Sequence, residues 1–441
     1  MSEPDAGSTS TFHLLGRALR HRNYRLFFAG QSISLVGSWL TRVATSWLVY
    51  RLTGSALILG LVGFAGQIPT FLFAPIAGVW VDRIDRHRAL VVTQVLAMIQ
   101  SALLAAFTLN HSITVGLVIV LQCIQGLINA VDMPARQSFV VEMIEDRRDL
   151  PNAIALNSSM VNAARLLGPS IAGILIAGFG EGWCFAIDAV SYLAVIASLL
   201  AMKVSPRANV RSNSRVWADL AQGFHYVARS VPIRSILLLL ALVSLMGMPY
   251  TVLMPAVASE VLHGGPHTLG FLMAASGLGA LAGALYLAAR RSVLGLGRVI
   301  GLSAGFFGIG LVAFSRSHVF WLSMLLMVPT GMSMMVQMAA SNTVLQTIVD
   351  EDKRGRVMSF YAMAFFGTTP FGSLLAGAVA DRFGAPAAIL IGGVACVLGA
   401  LAFFRALPAL RRATRPIYVR LGILPDNAGE VHSQITGPPE E

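Results

Sequence analysis

Only two lysines, Lys203 and Lys353, occur in the 441 residues, and neither follows a glycine. A phosphate-cradling P-loop needs Gly-Lys followed by Ser or Thr, so ATP use through that motif is excluded. Cysteine is nearly as scarce: Cys123, Cys184 and Cys396 stand apart in apolar stretches, which fits small buried packing residues better than a disulfide or metal set. The nine histidines lie in or near polar breaks and ends, so an intramembrane hydrolase or transferase lacks its cluster of His and carboxylates. Neither an enzyme nor a bound cofactor or metal is expected. Charge itself is thin, 12% of residues against 56% apolar, and that ratio excludes water as the chain's main solvent. Also missing is a small-residue cleavage site between the basic N-terminus and the first apolar run, so no removable signal peptide is expected.

What the chain has in abundance is long apolar runs, such as 58–81, 89–109, 113–131 and 236–257. Each approaches the ~20 residues needed to cross a hydrocarbon core as a helix. They far exceed the ~10 alternating residues of a barrel strand, and in lipid only helices satisfy their own backbone. The runs predict spans near 24–49, 55–80, 89–109, 113–135, 153–178 and 183–202, then near 235–260, 268–289, 297–315, 319–340, 356–379 and 386–405. The expected fold class is an all-α membrane protein, with 12 transmembrane helices as two pseudo-symmetric six-helix bundles. Its expected parts are an N-tail (1–22), an N-terminal bundle (23–203), a basic linker (204–232), a C-terminal bundle (233–406) and a C-tail (407–441). A trace of duplication supports the pairing. Ala172-Gly173 precedes Phe179-Gly180 at the spacing with which Ala376-Gly377 precedes Phe383-Gly384.

A net charge of +11 raises the question of nucleic acid, and the positions of the charges answer it. On the twelve-span reading, 27 of the 32 Lys and Arg fall in the two tails and the loops of one side, whereas the other side holds Arg51, Arg316 and Arg382. The positive-inside rule then puts both termini in the cytoplasm of a multi-pass inner (plasma) membrane protein. Membrane lipids, not nucleic acid, are the expected partners of the basic side, and a monomer is expected. In the linker, Trp217, Leu220, Phe224 and Val227 share a helical face, so this segment is either an amphipathic surface helix or a partly ordered tether. The tail after Arg405 is rich in Arg, Pro and polar residues and reads as a lipid-contacting, loose end.

Polar side chains inside apolar spans point to a pathway, because hydrocarbon penalises them. Gln31, Ser34, Ser38, Thr41 or Arg42, and Thr45 recur on one face of span one, and Gln122, Gln125, Asn129 and Asp132 repeat the pattern in span four. Gln337 in span ten joins them as a candidate. Such faces either line a wetted cavity or serve as glue between helices. Arg165 lies roughly 18 Å from the inner end of span five, near the bilayer middle. Arg42 and Asp188 sit toward the outer ends of spans one and six, so they can pair, either structurally or in a transport role. Met324, Met327, Met332, Met334, Met335 and Met338, with aromatic residues of span eleven, form either an apolar ligand wall or ordinary packing.

After span two stands GVWVDRIDRHR, residues 78–88. It resembles the signature loop of the major facilitator superfamily, G-x-x-x-D-R-x-G-R-R/K, with Gly78, Asp82, Arg83 and Arg86 matching and Asp85 in place of a glycine. The resemblance implies a cytoplasmic latch by Asp82, Arg83 and Arg86, with Asp132 as a partner. The counterpart after span eight has Leu287 where an acid would stand, leaving Arg290 and Arg291 as topology signals. Gly168, Pro169 and Gly173 resemble the antiporter motif G-P-x-x-G-G of drug exporters, with Ala172 replacing one glycine. Segments such as DMPARQSFV, LPNAIALNSSM and RGRVMSFYAMAFFG are similar to the branch containing enterobactin exporters and macrolide efflux proteins, from Asn23 to about Phe404. In drug exporters of the superfamily span four often carries R-x-x-Q-G, where this chain has Gln122-Cys123-Ile124-Gln125-Gly126. The resemblance implies proton-driven export of an amphiphilic small molecule, a drug or siderophore, by alternating access. An importer or lipid flippase on the same fold, or a non-transporting scaffold or sensor, stands as the alternative.

Overall fold

Long apolar runs become long helices, and glycines and capping side chains decide where each one stops. The computed structural model describes residues 17–81, 83–203, 216–290 and 292–424, and every regular element among them is helical. Eleven helices are both long and apolar enough to cross a membrane. Spans two to six are Ala56–Val81, Arg86–Leu109, Val115–Glu142, Leu150–Phe179 and Glu181–Leu200. Spans seven to twelve are Val231–Val261, Pro266–Ala288, Leu296–Ser315, Phe320–Ile348, Lys353–Phe383 and Ala385–Arg420. The remaining helix, Arg22–Thr53, is 32 residues long but too polar to count among them. It packs inside the N-terminal bundle, where methyl groups on Gly30 and Gly37 would strike Ser198 and Asp188 of span six. The expected twelve are thus eleven apolar spans plus one polar helix of spanning length, called span one below.

Local chemistry sets the ends. Gly54 closes span one in the left-handed region, at φ 60°, which side chains with a Cβ resist. Thr114 accepts from the Leu117 amide at the start of span four, and Asp85 from the Arg88 amide at the start of span three, both as N-caps. Asp85 therefore has a structural use at the position where the family loop carries glycine. The repeat suggested by Phe179-Gly180 and Phe383-Gly384 is real in the backbone. Gly180 (φ 86°) and Gly384 (φ 84°) make matching turns between spans five and six and between eleven and twelve.

The two halves meet along two such related seams. Span five packs on span eight, and span two on span eleven. In the first seam a methyl on Gly173 would lie 2.8 Å from the Pro266 carbonyl oxygen, and one on Gly270 would strike the Pro169 carbonyl. In the second, a methyl on Gly377 would lie 2.7 Å from the Ala56 carbonyl oxygen, and one on Gly60 would strike the Ser373 carbonyl. Each seam therefore holds a reciprocal pair of glycines, each standing four residues from the carbonyl that its partner glycine faces. Small residues are what allow helix backbones to approach this closely in lipid. Spans four and ten, by contrast, pack almost wholly within their own halves.

Several ends differ from expectation. Span four continues to Glu142, so Arg136, expected in a loop, is helical and Asp132 stands ten residues inside the helix rather than at its end. Span twelve continues through Pro408 and Pro416 to Arg420, replacing the first part of the expected loose tail. In the linker, Val216–Arg229 is a helix resting on the start of span eleven, with the Phe224 and Phe360 rings 6.4 Å apart and Lys353 Nζ 5.0 Å from the Tyr226 ring. The side chains of Trp217 and Leu220 lie outside the described residues. So does Arg291, while Arg290 donates to the Ser292 and Leu294 carbonyls of its own loop. Spans seven and eleven contain π-helical turns, Val243–Gly247 and Met363–Gly367, and these touch. Ser244 donates to the Phe365 carbonyl and lies 2.8 Å from Thr369 Oγ1.

Candidate functional site

The N-terminal bundle carries a ladder of buried polar groups. Asp188 of span six is 1% exposed. Thr41 Oγ1 of span one and Ser101 Oγ of span three each donate to its Oδ2 at 2.7 Å, and Ser191 Oγ lies 3.5 Å from its Oδ1. A methyl on Gly37 would lie 2.6 Å from the same carboxylate, so span one has to be bare there for span six to approach. No cation pairs with Asp188 among the described residues; hydroxyls alone hold it.

One turn on from Asp188 along span six, Tyr192 is buried. Asp132 is 4% exposed and accepts from Thr93 Oγ1 at 2.8 Å, from Gln94 Nε2 at 2.7 Å and from Arg136 of its own helix. Further toward the basic face, Arg86 pairs with Glu142, and the His87 ring lies 2.8 Å from the Leu199 carbonyl oxygen. Of these acids and bases, Arg136 and Glu142 were not singled out from the sequence. The usable signal was the i, i+4 spacing of Asp132 and Arg136, hidden because the predicted helix stopped too early.

At the opposite face the halves are tied. Tyr50 at the end of span one donates to Glu260 at the end of span seven, and Ser55 Oγ donates to Asp381 Oδ1 at 2.8 Å. Beside them Arg51 forks onto Glu181 at 2.8 and 3.2 Å. With spans four and ten parted, the halves are closed at this face and separated toward the basic one.

The sequence candidates distribute unevenly over this architecture. Arg42 does not pair with Asp188; its guanidinium carbon lies 4.6 Å from the Trp39 ring centre, while its neighbour Thr41 takes the carboxylate. Arg165 faces the same ring at 6.0 Å. Gln31 and Gln337 are 3% and 1% exposed, and with Asp188 they sit sealed inside the protein rather than on a wetted wall. Ser38, Gln122, Gln125 and Asn129 are half-buried. Gln125 donates to Asn129 at 3.2 Å, but its Oε1 is buried without a partner, as is Gln337 Nε2. Asp132, expected to meet the loop arginines, has Arg136 instead, because its depth in the helix holds it away from the loop. Asp82 lies outside the described residues, Arg83 is exposed, and a methyl on Gly78 would meet nothing within 4 Å. Gly168 packs under Trp39, and Gly173 belongs to the seam with span eight. Met327 and Met334 are core residues.

Residues 16–416 match the model of a family described as transmembrane secretion effectors. The chain belongs to this family. As a secretion effector it is similar to the staphyloferrin A transporter of Staphylococcus aureus, 25% identical over 388 residues that cover 86% of this chain and 95% of that one. It is also similar to the multidrug efflux pump Tap of Mycolicibacterium fortuitum, at 26% identity over 85% and 93%. Macrolide efflux protein A of Streptococcus pyogenes matches at 23% identity over 85% and 94%. Among solved structures, a peptide transporter POT in complex with alafosfalin superimposes with a TM-score of 0.70 at 13% identity, over 89% of this chain and 95% of that one. The nucleoside transporter NupG gives 0.66 at 15% identity, over 88% and 99%. This secretion effector is thus a membrane transporter on the major facilitator fold, similar to a staphyloferrin A transporter and to macrolide and multidrug efflux proteins.

Proposed function

We propose that the chain is a secondary exporter of an amphiphilic small molecule, a drug or a siderophore, driven by proton antiport in the inner (plasma) membrane with both termini in the cytoplasm. One observation carries the coupling: Asp188, an acid at membrane depth, is held by hydroxyls with no cation. An unneutralised carboxylate in that position takes and gives a proton more readily than one fixed in an ion pair. Two buried carboxylates in one bundle, Asp188 and Asp132, support a route for that proton within the N-terminal half, while the substrate moves between the halves. The glycine seams support the rocking of one half against the other that alternating access requires. A membrane potential of ~100 mV supplies ~2.3 kcal/mol per charge moved, enough to sustain an outward gradient without ATP. The protein works as a monomer on this reading, and the loop bearing Asp82, Arg83 and Arg86 latches the cytoplasmic face when the site opens outward.

Inverted membrane vesicles carrying the full chain provide the test, with a panel of siderophores and macrolides and with or without an uncoupler. Uptake into the vesicles that collapses with the uncoupler is expected. Uptake indifferent to it would sink proton coupling, and accumulation in intact cells instead of vesicles would reverse the direction.

A further inference from the structure

Two guanidinium groups converge on one indole ring with no acid to balance them. Both guanidinium carbons lie within 6.0 Å of the centre of the Trp39 ring. The acids of the N-terminal bundle and of the tied face named above are taken elsewhere: Asp188 by hydroxyls, Asp132 by Arg136, Glu260 by Tyr50 and Glu181 by Arg51. Among the described residues neither Arg42 nor Arg165 forms an ion pair. Arg42 is exposed, and Arg165 Nη1 is buried without a hydrogen-bond partner. The Tyr250 hydroxyl of span seven is occupied with Ser276, 2.8 Å away.

The arrangement is built rather than accidental. Gly168 is bare where Trp39 packs, and Gly277 brings span eight to within 2.9 Å of the Arg165 carbonyl, measured from the methyl it lacks. Along span one Arg42 stands eight residues, ~12 Å, below the Tyr50 tie, and so on the open side of the closed face. Charges at this depth are costly unless a counter-charge or water meets them. A guanidinium is a planar fork of donors that matches a carboxylate, and an indole face accepts an apolar or aromatic body.

We propose that Arg42, Arg165 and the Trp39 ring form the substrate site for a carboxylate carried on an aromatic or apolar body. The inference rests on the export reading for its direction, though not for binding. Full-length protein in phosphatidylcholine nanodiscs is dialysed against 2-naphthoate, 2-naphthamide and 2-naphthylmethylammonium, which share one ring system and differ in charge, with empty discs as the blank. Naphthoate is expected to bind at least ten-fold more tightly than the amide, with the cation weakest. Arg42→Gln and Arg165→Gln each remove most of that preference, Arg165→Lys retains part of it, and the distant Arg382→Gln keeps all of it. The amide's affinity and a monodisperse elution profile guard against misfolding. Equal binding of the three probes, no binding of naphthoate, or a preference unchanged in the Gln variants overturns the site. A preference lost on exchanging phosphatidylcholine for phosphatidylglycerol makes a lipid headgroup the occupant and overturns the substrate assignment. Naphthoate preference without energised vesicle uptake would sink export and leave the site. Energised uptake of neutral and cationic drugs that ignores Arg42→Gln would do the reverse.

Discussion

Asp188 and Asp132 lie in the same bundle, yet their surroundings give them opposite consequences on substitution. Around Asp188 the donors are hydroxyls, which can turn to accept as well as donate. Asp188→Asn therefore leaves a satisfied group of equal size, and protein level and melting are expected to stay near wild type. Uncoupler-sensitive efflux is expected to vanish; a variant that retained it would remove Asp188 from the coupling role. Asp132 is bonded to Arg136, and Asp132→Ala leaves a half-buried guanidinium without its acid. Breaking a fully buried pair from one side costs about 3–5 kcal/mol; Arg136 keeps 27% of its exposure, so a smaller but clear fall in yield and in melting temperature is expected. Neutralising the partner as well, in Asp132→Ala with Arg136→Gln, should restore part of that loss. A double variant no more stable than the single would show that the pair is not the cause. The polar face of span one was legible in the sequence, since spacing alone reveals it. The partners were not: successive residues on a helix diverge by about 100°, so whether Thr41 or Arg42 meets span six depends on a rotation fixed only by packing. Asp188 and Arg42 looked like a pair because charge is visible in a sequence and phase is not.

At the scale of the helices, the duplicated glycines carried the most information. Ala172-Gly173 and Ala376-Gly377 were readable as a repeat, and in the structure both glycines face the backbone of the other half across equivalent seams. Their partners Gly60 and Gly270 could not be picked from 42 glycines without knowing which helices meet. Gly60→Ala and Gly270→Ala each push a methyl against a carbonyl oxygen, and overpacking of that kind costs about 1–3 kcal/mol. The two variants should slow transport to a similar degree with unchanged helix content by circular dichroism, whereas Gly116→Ala, which meets open space, should be silent in both measurements. A strong effect in one seam and none in the other would argue against equivalent movement at the two. Span centres were legible because length and apolarity are local properties. Span ends were not, because charged residues such as Arg136 and prolines such as Pro408 look like breaks until a partner or the helix's exit from lipid explains them. The π-helical turns of spans seven and eleven left no local signature at all; their contact through Ser244 is a property of the pair.

Taken as a whole, the molecule holds its halves together by glycine seams along the sides and by polar ties at one face, so the ties are the cheapest place to shift its balance. Tyr50 to Glu260 and Ser55 to Asp381 are hydrogen bonds to acidic groups, and bonds of this class contribute about 1.5–3 kcal/mol each when well formed. At an exposed rim water replaces the lost donor, so each bond falls to about 0.5–1 kcal/mol and the two together to about one to two. Losing one to two kcal/mol of closure changes the open fraction by a factor of about 5–30. Val252 of span seven sits beneath the ties against Gly63 of span two, so a thiol there reports opening. In a background with Cys123, Cys184 and Cys396 replaced by alanine, Val252→Cys should react slowly with a membrane-impermeant maleimide added at the Tyr50 face. Adding Tyr50→Phe and Ser55→Ala should raise that rate by the same 5–30-fold, and removing only the Arg51 fork, which lies within one half, should raise it far less. Unchanged labelling in the double variant would mean that the glycine seams alone keep this face shut.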